Sequence, residues 1–421
     1  MKLEKFKEKN NRKIGIIIFT ICCIVLIAGV YFYSSFAIYE QNQNFNVING
    51  TVENPGDLYF AFYVDDVISK DMPSKDSGYT LDTSKSFCTN GASPTLNEET
   101  WSIKVTNLTA THTKCTLYFK VNITNQIIAQ LDTSGACPTV NEDGTINVSA
   151  ERTNGYVCSA PDDYGTSYYY RGNVTNNYVK FGKNESGQDM YWRIIRINGD
   201  GSIRMIYDGT SAHQNGEEND DRNIGTSTFN SGECLGYIGD QCFGSVSYTY
   251  NNHQNDSIIK SYADDWYERV FLGSPYESYL SDEIFCVSRV IDDNNFGIYK
   301  LVDSLRCTNE EDRYTVDVEN GNGGLTYPIG LVNVIEGRLA GGADFYEVSG
   351  HYLDAGIYWT MTPNSYDMSY GLLVYTIRKG MAGAGPSNLE ITNSYGVKPV
   401  INLKTNSLNS GNGTAENPYT V

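Results

Sequence analysis

The sequence predicts an α+β protein: an N-terminal transmembrane helix, a small β-sandwich module, and a larger mixed α+β domain. Three observations carry this. A run of 25 residues without Asp, Glu, Lys, Arg or His lies near the start of the 421-residue chain. After it, short alternating segments rich in Tyr, Val and Ile are bounded by Asn, Asp and Gly, the pattern of strands and turns. Helical patterns are few and do not alternate with strands as βαβ units would.

Residues 1–13 read as a cytoplasmic basic tail, with Lys2, Lys5, Lys7, Lys9, Arg12 and Lys13 against Glu4 and Glu8. The formal net charge is −19, so this +4 precedes a remainder of −23. "IGIIIFTICCIVLIAGVYFYSSFAI", residues 14–38, is long enough to span a bilayer as a helix and is the membrane partner the sequence predicts. Basic residues before it place that end in the cytoplasm and the bulk of the chain outside the plasma membrane. Tyr31, Phe32 and Tyr33 stand where an aromatic belt would. Ser35-Phe36-Ala37 offers the competing reading, a cleaved signal peptide. Cys22 and Cys23 lack the small preceding residues of a lipoprotein signal and read as lipid-facing bulk. The acidic remainder repels phosphates, so no nucleic-acid partner is expected.

Eight cysteines follow the apolar run, an even number in an extracytoplasmic setting. Sequential pairing is the simplest framework: Cys88–Cys115, Cys137–Cys158, Cys234–Cys242 and Cys286–Cys307. The sequence contains no CxxC, and His112, His213, His253 and His351 are scattered, so neither a metal nor a cofactor is expected.

Residues 39–121 form the predicted β-sandwich stalk. "DLYFAFYVDDV" and "TKCTLYFKVNI" are its strands, and "WSIKVTNLT" places Trp101, Ile103 and Val105 on one face that needs a covering sheet. In residues 122–421 a short helix over Thr124–Asp132 opens the second domain. "PTVNEDGTINVS" and "YWRIIRINGDGSIRMIYDG" are hairpins turned at Asp-Gly. "NDSIIKSYADDWYERVF" is the one long helix, capped by Asp256 or Ser257, with Ile259, Tyr262, Ala263, Trp266 and Val270 as its apolar stripe. A second helix begins near Val332 and stops at Gly341-Gly342. Strands return in "GIYWTMTP", "YGLLVYTIRKG" and "GVKPVINL".

Several of these motifs recur in order elsewhere. "VCSAPDDYGTSYYYRGNVTNNYVKFGKNESGQDMYWRIIRINGDGSIRMIYDGTS", "YWTMTP", "GVKPVINL" and "GNGTAENPYTV" together resemble a family of uncharacterised surface proteins of Gram-positive gut bacteria. The resemblance covers residues 122–421, and the preceding module is similar to segments found in such proteins. It implies a domain of unknown function with a C-type-lectin-like fold: two helices flanking a mixed sheet, and long loops presenting a ligand surface. That family has Arg where this chain has Lys398, which implies a lost or altered bidentate partner. The Glu/Gln-Pro-Asn/Asp and Trp-Asn-Asp signatures of calcium-dependent sugar binders do not occur, nor does the reactive-cysteine arrangement of formylglycine-generating relatives. "NEDGT", "NGDGS" and "DDNN" read as hairpin turns rather than calcium loops.

No catalytic signature emerges, and the chain is not expected to be an enzyme. G-x-S-x-G, H-E-x-x-H and the P-loop are missing. Ser257-Ile-Ile-Lys260 matches S-x-x-K but lacks its companion motifs and begins an amphipathic helix. "EENDDR", Glu217 to Arg222, reads as a solvated acidic loop rather than an acid/base pair.

Composition points to recognition. The 33 Tyr and 40 Gly, with abundant Asn and Ser, form the vocabulary of binding surfaces. In "GIYWTMTP" Trp359 and Met361 alternate with Tyr358 and Thr360, so one pair should face the core and the other a surface; Pro363 should end the strand. Trp359 is expected to pack beneath the following loops, with Tyr366, Tyr370, Arg378, Asn388 and Tyr395 as ligand contacts around it. The expected function is a surface-anchored extracellular binding or adhesion protein, non-enzymatic, recognising a glycan or a host or bacterial surface protein. The alternatives are a structural subunit of a surface appendage, such as a minor pilin or tip protein, and, more distantly, a cell-envelope hydrolase.

Overall fold

The structure is a computed structural model. It describes residues 58–108, 112–148, 155–231, 249–250, 255–291, 299–341, 350–367, 371–378, 381–382 and 390–421. The chain is sheet-rich α+β and divides into two compact units, Met1–Asn122 and Ile123–Val421. The predicted tail and membrane span, residues 1–13 and 14–38, lie outside the described residues. Among the described residues no helix is long and apolar enough to cross a membrane.

The first unit is built from β1 (Leu58–Val64), β2 (Val67–Ser69), β3 (Tyr79–Leu81), β4 (Phe87–Cys88), β5 (Ser93–Asn97), β6 (Ser102–Thr106) and β7 (Thr113–Val121). One sheet runs β2-β1-β7-β3, with β4 also on β7, and the β5–β6 hairpin stands apart from it. β1 and β7 pair in parallel, Phe62 opposite Leu117, so both ends of the unit meet at the sheet centre. Phe62, Leu81, Leu117 and Phe119 of the sheet pack with Ile103 and Val105 of β6, giving the alternating inward pattern of β6 its cover. Trp101 departs from the expected face. It sits in the turn before β6 with φ +50°, and its indole N–H donates to the Pro73 carbonyl at 2.6 Å. Cys88 and Cys115 are directly opposed across β4 and β7 and joined by a disulfide.

The second unit opens with α1 (Ile123–Ile128), which ends four residues before the expected Asp132. Then come β8 (Tyr156–Pro161), β9 (Thr166–Arg171), β10 (Tyr178–Lys183), β11 (Asp189–Ile197), β12 (Ile203–Gly209) and β13 (Thr226–Thr228). The short β14 (Thr249–Tyr250) and β15 (Asn255–Asp256) precede α2 (Ile258–Val270). Minor pairs follow in β16 (Phe285–Cys286), β17 (Arg289–Ile291), β18 (Tyr299–Leu301) and β19 (Arg313–Tyr314), then α3 (Val334–Leu339). The chain closes with β20 (Tyr358–Asp367), β21 (Gly371–Arg378), β22 (Met381–Ala382), β23 (Ser394–Gly396), β24 (Val400–Leu403) and β25 (Tyr419–Thr420).

Two larger sheets result. One runs β24-β12-β11-β10-β25 with β9 and β8 continuing from β11, and the other runs β13-β23-β20-β21-β22. Both are mixed: β10–β25 and β20–β23 are parallel within otherwise antiparallel ladders. The β11–β12 turn forms at Asn198–Ser202, where Asp200 accepts from the backbone and hydroxyl of Ser202 and Gly201 supplies φ +88°. Asp143 binds Thr145 in the same way, each carboxylate accepting at Oδ1 from a backbone N–H and a hydroxyl two residues on.

Ser257 caps α2 by accepting from the Lys260 N–H, which explains the S-x-x-K match as a helix start. Its apolar stripe packs Trp266 against Trp192, Tyr207 and Phe271, at 5.7–6.3 Å between ring centroids. The buried face is wider than the expected stripe. Lys260, Asp264 and Tyr267 are buried, whereas Tyr262 is only half-buried. Lys260 reaches Asp264 at 2.6 Å, Asp256 and Thr326, so its charge enters the core already paired. α3 starts at an Asn333–Glu336 capping box.

Disulfides join Cys137 to Cys158 and Cys286 to Cys307; Cys234 and Cys242 lie outside the described residues. Three disulfides within the described residues are consistent with an extracellular chain.

Candidate functional site

β20 is the strand from which the site is built, and it corrects two expectations. Tyr358, Trp359, Thr360, Met361 and Thr362 are all buried, so neither alternating set reaches a surface. A strand in the middle of its sheet, covered on both sides, reads as a continuous apolar run. Pro363 does not end it. The strand continues to Asp367, with register shifts on either side of Pro363, and this bulge accommodates a residue that has no N–H to donate.

Trp359 is sealed by these contacts. Its indole N–H donates to the Ser227 carbonyl at 2.8 Å, and its ring meets Phe229 and Tyr395 edge-on at 5.6 and 5.1 Å. It is therefore a floor rather than a ligand contact. The pairs Tyr358–Ile377 and Tyr358–Gly396 fix the register on both sides of β20. One step outward from those pairs, Ile357 falls between Arg378 of β21 and Tyr395 of β23, on the same sheet face as Trp359. The Ile357 carbonyl accepts from the Gly396 N–H at 3.1 Å, which holds this row together. Ile357 is 41 % exposed, while Arg378 and Tyr395 are half-buried.

Thus Trp359 and two of the five expected ligand contacts, Arg378 and Tyr395, gather on one face. Tyr366 pairs with Leu372 in the β20–β21 ladder, but its side chain lies outside the described residues, as do Tyr370 and Asn388 altogether.

On the other side of Tyr358 lies a feature the sequence reading missed. Asp208, Arg193, Arg222 and Lys398 are each at most 2 % exposed. Arg222 donates from Nε and Nη2 to Asp208 at 2.9 and 2.6 Å, and from Nη1 to the Glu217 carbonyl at 2.5 Å. Lys398 Nζ stands 3.6 Å from Asp208 and 5.2 Å from the Tyr358 ring centroid. Burial pushes the Lys398 amine down to about 7; Arg222 adds to the shift and Asp208 opposes it. Arg193 is lowered from its ordinary value, again by burial first, and lies over the Tyr178 ring at 3.8 Å. The segment Glu217–Arg222 is therefore more than a solvated loop. Arg222 turns fully inward, and His213 bridges Glu217 at 2.9 Å and Asp221 at 2.8 Å.

A second network joins β11, β12 and α3. Glu336 pairs with Arg204 at 2.5 Å and Arg196 at 3.4 Å, while Arg196 also reaches Asp162 at 2.9 Å. Burial raises the Glu336 carboxyl, but the two guanidinium groups outweigh it and hold the pKa below its usual value. The signal for both networks was present in "YWRIIRINGDGSIRM", where Arg193, Arg196 and Arg204 sit inside apolar strands. A cation in such a run needs a buried counter-charge from elsewhere in the chain. These clusters knit β11, β12, α3 and the entry to β24 together.

Among the described residues, no three His, Cys, Asp or Glu side chains converge as metal ligands. No family model, curated protein or solved structure matches the chain.

Proposed function

We propose that this is a single-pass, surface-anchored extracellular binding protein. Residues 14–38 would hold it in the membrane, the first unit would act as a stalk, and the second would be the recognition head. The observation that carries the reading is the row Tyr395–Ile357–Arg378. It is a partly exposed aromatic, apolar and cationic set standing on the sealed Trp359 floor. A rigid base under adaptable contacts is what recognition surfaces require. The disulfides and the uncharged run after a basic tail support the extracellular placement. Mixed sheets and the helices α2 and α3 support a C-type-lectin-like reading of the head.

The test is binding of the purified full-length protein to a glycan array and to bacterial and host cell surfaces, with protease shaving of intact cells to report exposure. Retention on either surface and loss on shaving are expected. Failure to bind both would remove the reading. One observation favours a second reading, an appendage subunit. β2 is an edge strand carrying exposed Val67 and Ile68, which could pair with another copy. Recovery of the protein in sheared filaments would favour it.

A further inference from the structure

We propose that the row Tyr395–Ile357–Arg378 binds a saccharide unit bearing a carboxylate, with Arg378 as its anion contact; this rests on the binding reading above. The argument begins with the arginines. Each of the others that is at least partly buried, with its side chain described, has an acceptor. Arg171 reaches two carbonyls at the end of α3, Arg313 pairs with Asp163, and Arg338 pairs with Asp303. Arg193 donates from Nε to the Asn177 side-chain carbonyl at 2.7 Å, and Arg196, Arg204 and Arg222 are held as described above. Arg378 is half-buried and makes no hydrogen bond or ion pair among the described residues. Partly desolvating a guanidinium without an acceptor is unfavourable, and among the described, partly buried arginines this one alone has no acceptor there and is available to a ligand.

The neighbours narrow the ligand. A planar guanidinium matches a carboxylate with two parallel hydrogen bonds. Tyr395 is held edge-on against Trp359, so its ring is a pre-ordered amphipathic surface of the kind that packs on a sugar's C–H face. Ile357 offers an apolar contact between the two. Strands lie about 4.8 Å apart, so Tyr395 and Arg378 stand about 10 Å apart across β20, the span of one sugar ring with its substituents. A row this short is far smaller than a stable protein interface. The chain's −19 charge repels long polyanions, so a single acidic sugar, terminal or isolated, fits better than a polyanionic chain.

The test is ligand-detected NMR and calorimetry on the full-length protein. Glucuronic acid and N-acetylneuraminic acid are the acidic probes, and glucose and N-acetylglucosamine the neutral ones. The acids should bind at least about tenfold more tightly than the neutral sugars, and Arg378→Gln should weaken them about 10- to 100-fold. Arg378→Lys should recover only part of the loss, since it keeps the charge without the fork. Both variants should melt with the parent, because Arg378 has no described partner to lose. Equal binding of acids and neutral sugars, or binding indifferent to Arg378→Gln, overturns this assignment while leaving a binding protein. Binding of none of the four probes by a protein that still attaches to cells overturns it as well. Loss of both kinds of binding removes the broader reading with it.

Discussion

Lys398 makes the stability of this protein depend on pH in a direction opposite to that of an ordinary salt-bridged lysine. Its folded pKa of about 7 lies below the unfolded value of 10.5. The unfolded state therefore binds more protons between those limits, and stability rises with pH across them. Below about pH 7 both states carry the proton, and the full penalty of about 5 kcal/mol applies. From pH 6 to pH 9 the relief amounts to about 2–3 kcal/mol, with the slope steepest near pH 8–9. Replacing Lys398 with Met removes the titrating group while leaving Asp208 held by Arg222. Urea unfolding of both proteins, disulfides intact, can be followed by emission from the buried Trp192 and Trp359 at each half-unit of pH. The difference in unfolding free energy, parent minus variant, should climb by about 2–3 kcal/mol over that range. Parallel curves would refute the argument, because they require a lysine equally protonated in both states.

Other outcomes follow from the same structure. Glu336→Gln strands Arg204 inside the fold, leaves Arg196 with Asp162 alone, and should cost about 3–5 kcal/mol, read as a lower urea midpoint. Glu217 is held below its usual value first by the His213 hydrogen bond; Asp221 is lowered as well, burial opposing and bonds from Thr210 and His213 prevailing. Their contribution is therefore complete above the unfolded carboxylate range and is lost as pH falls through the lowered values, so His213→Gln should flatten the acid limb of the stability curve. Replacing Cys88 and Cys115 with Ser opens a loop of sequence separation 27. By loop entropy this should destabilise the first unit by about 3.5 kcal/mol, with the melting of the second unit unchanged in calorimetry.

Much of the architecture was legible because it is encoded over a few residues. Ser257 before the Ile259–Val270 stripe announces a helix with its cap, and Asn198 to Ser202 announces a turn whose glycine must take positive φ. The apolar alternation of Ile103 and Val105 calls for a covering sheet. The candidate site was legible only in part. Trp359 was readable as a floor, but the row above it joins positions 357, 378 and 395, which meet only when β20 pairs in parallel with β23 and antiparallel with β21.

By itself, then, the sequence determined the kinds of element, their order, the acidic charge, and a cysteine content suited to an oxidising compartment. Tertiary structure alone decided that β20 is covered on both faces, that Arg222 turns inward, that Lys398 faces Asp208, and that Arg378 finds no partner among the described residues. The physical reason is range. Propensity, capping and turn chemistry act between near neighbours. Strand register and the pairing of buried charges depend on residues brought together from distant parts of the chain, and no local pattern encodes which of them will meet.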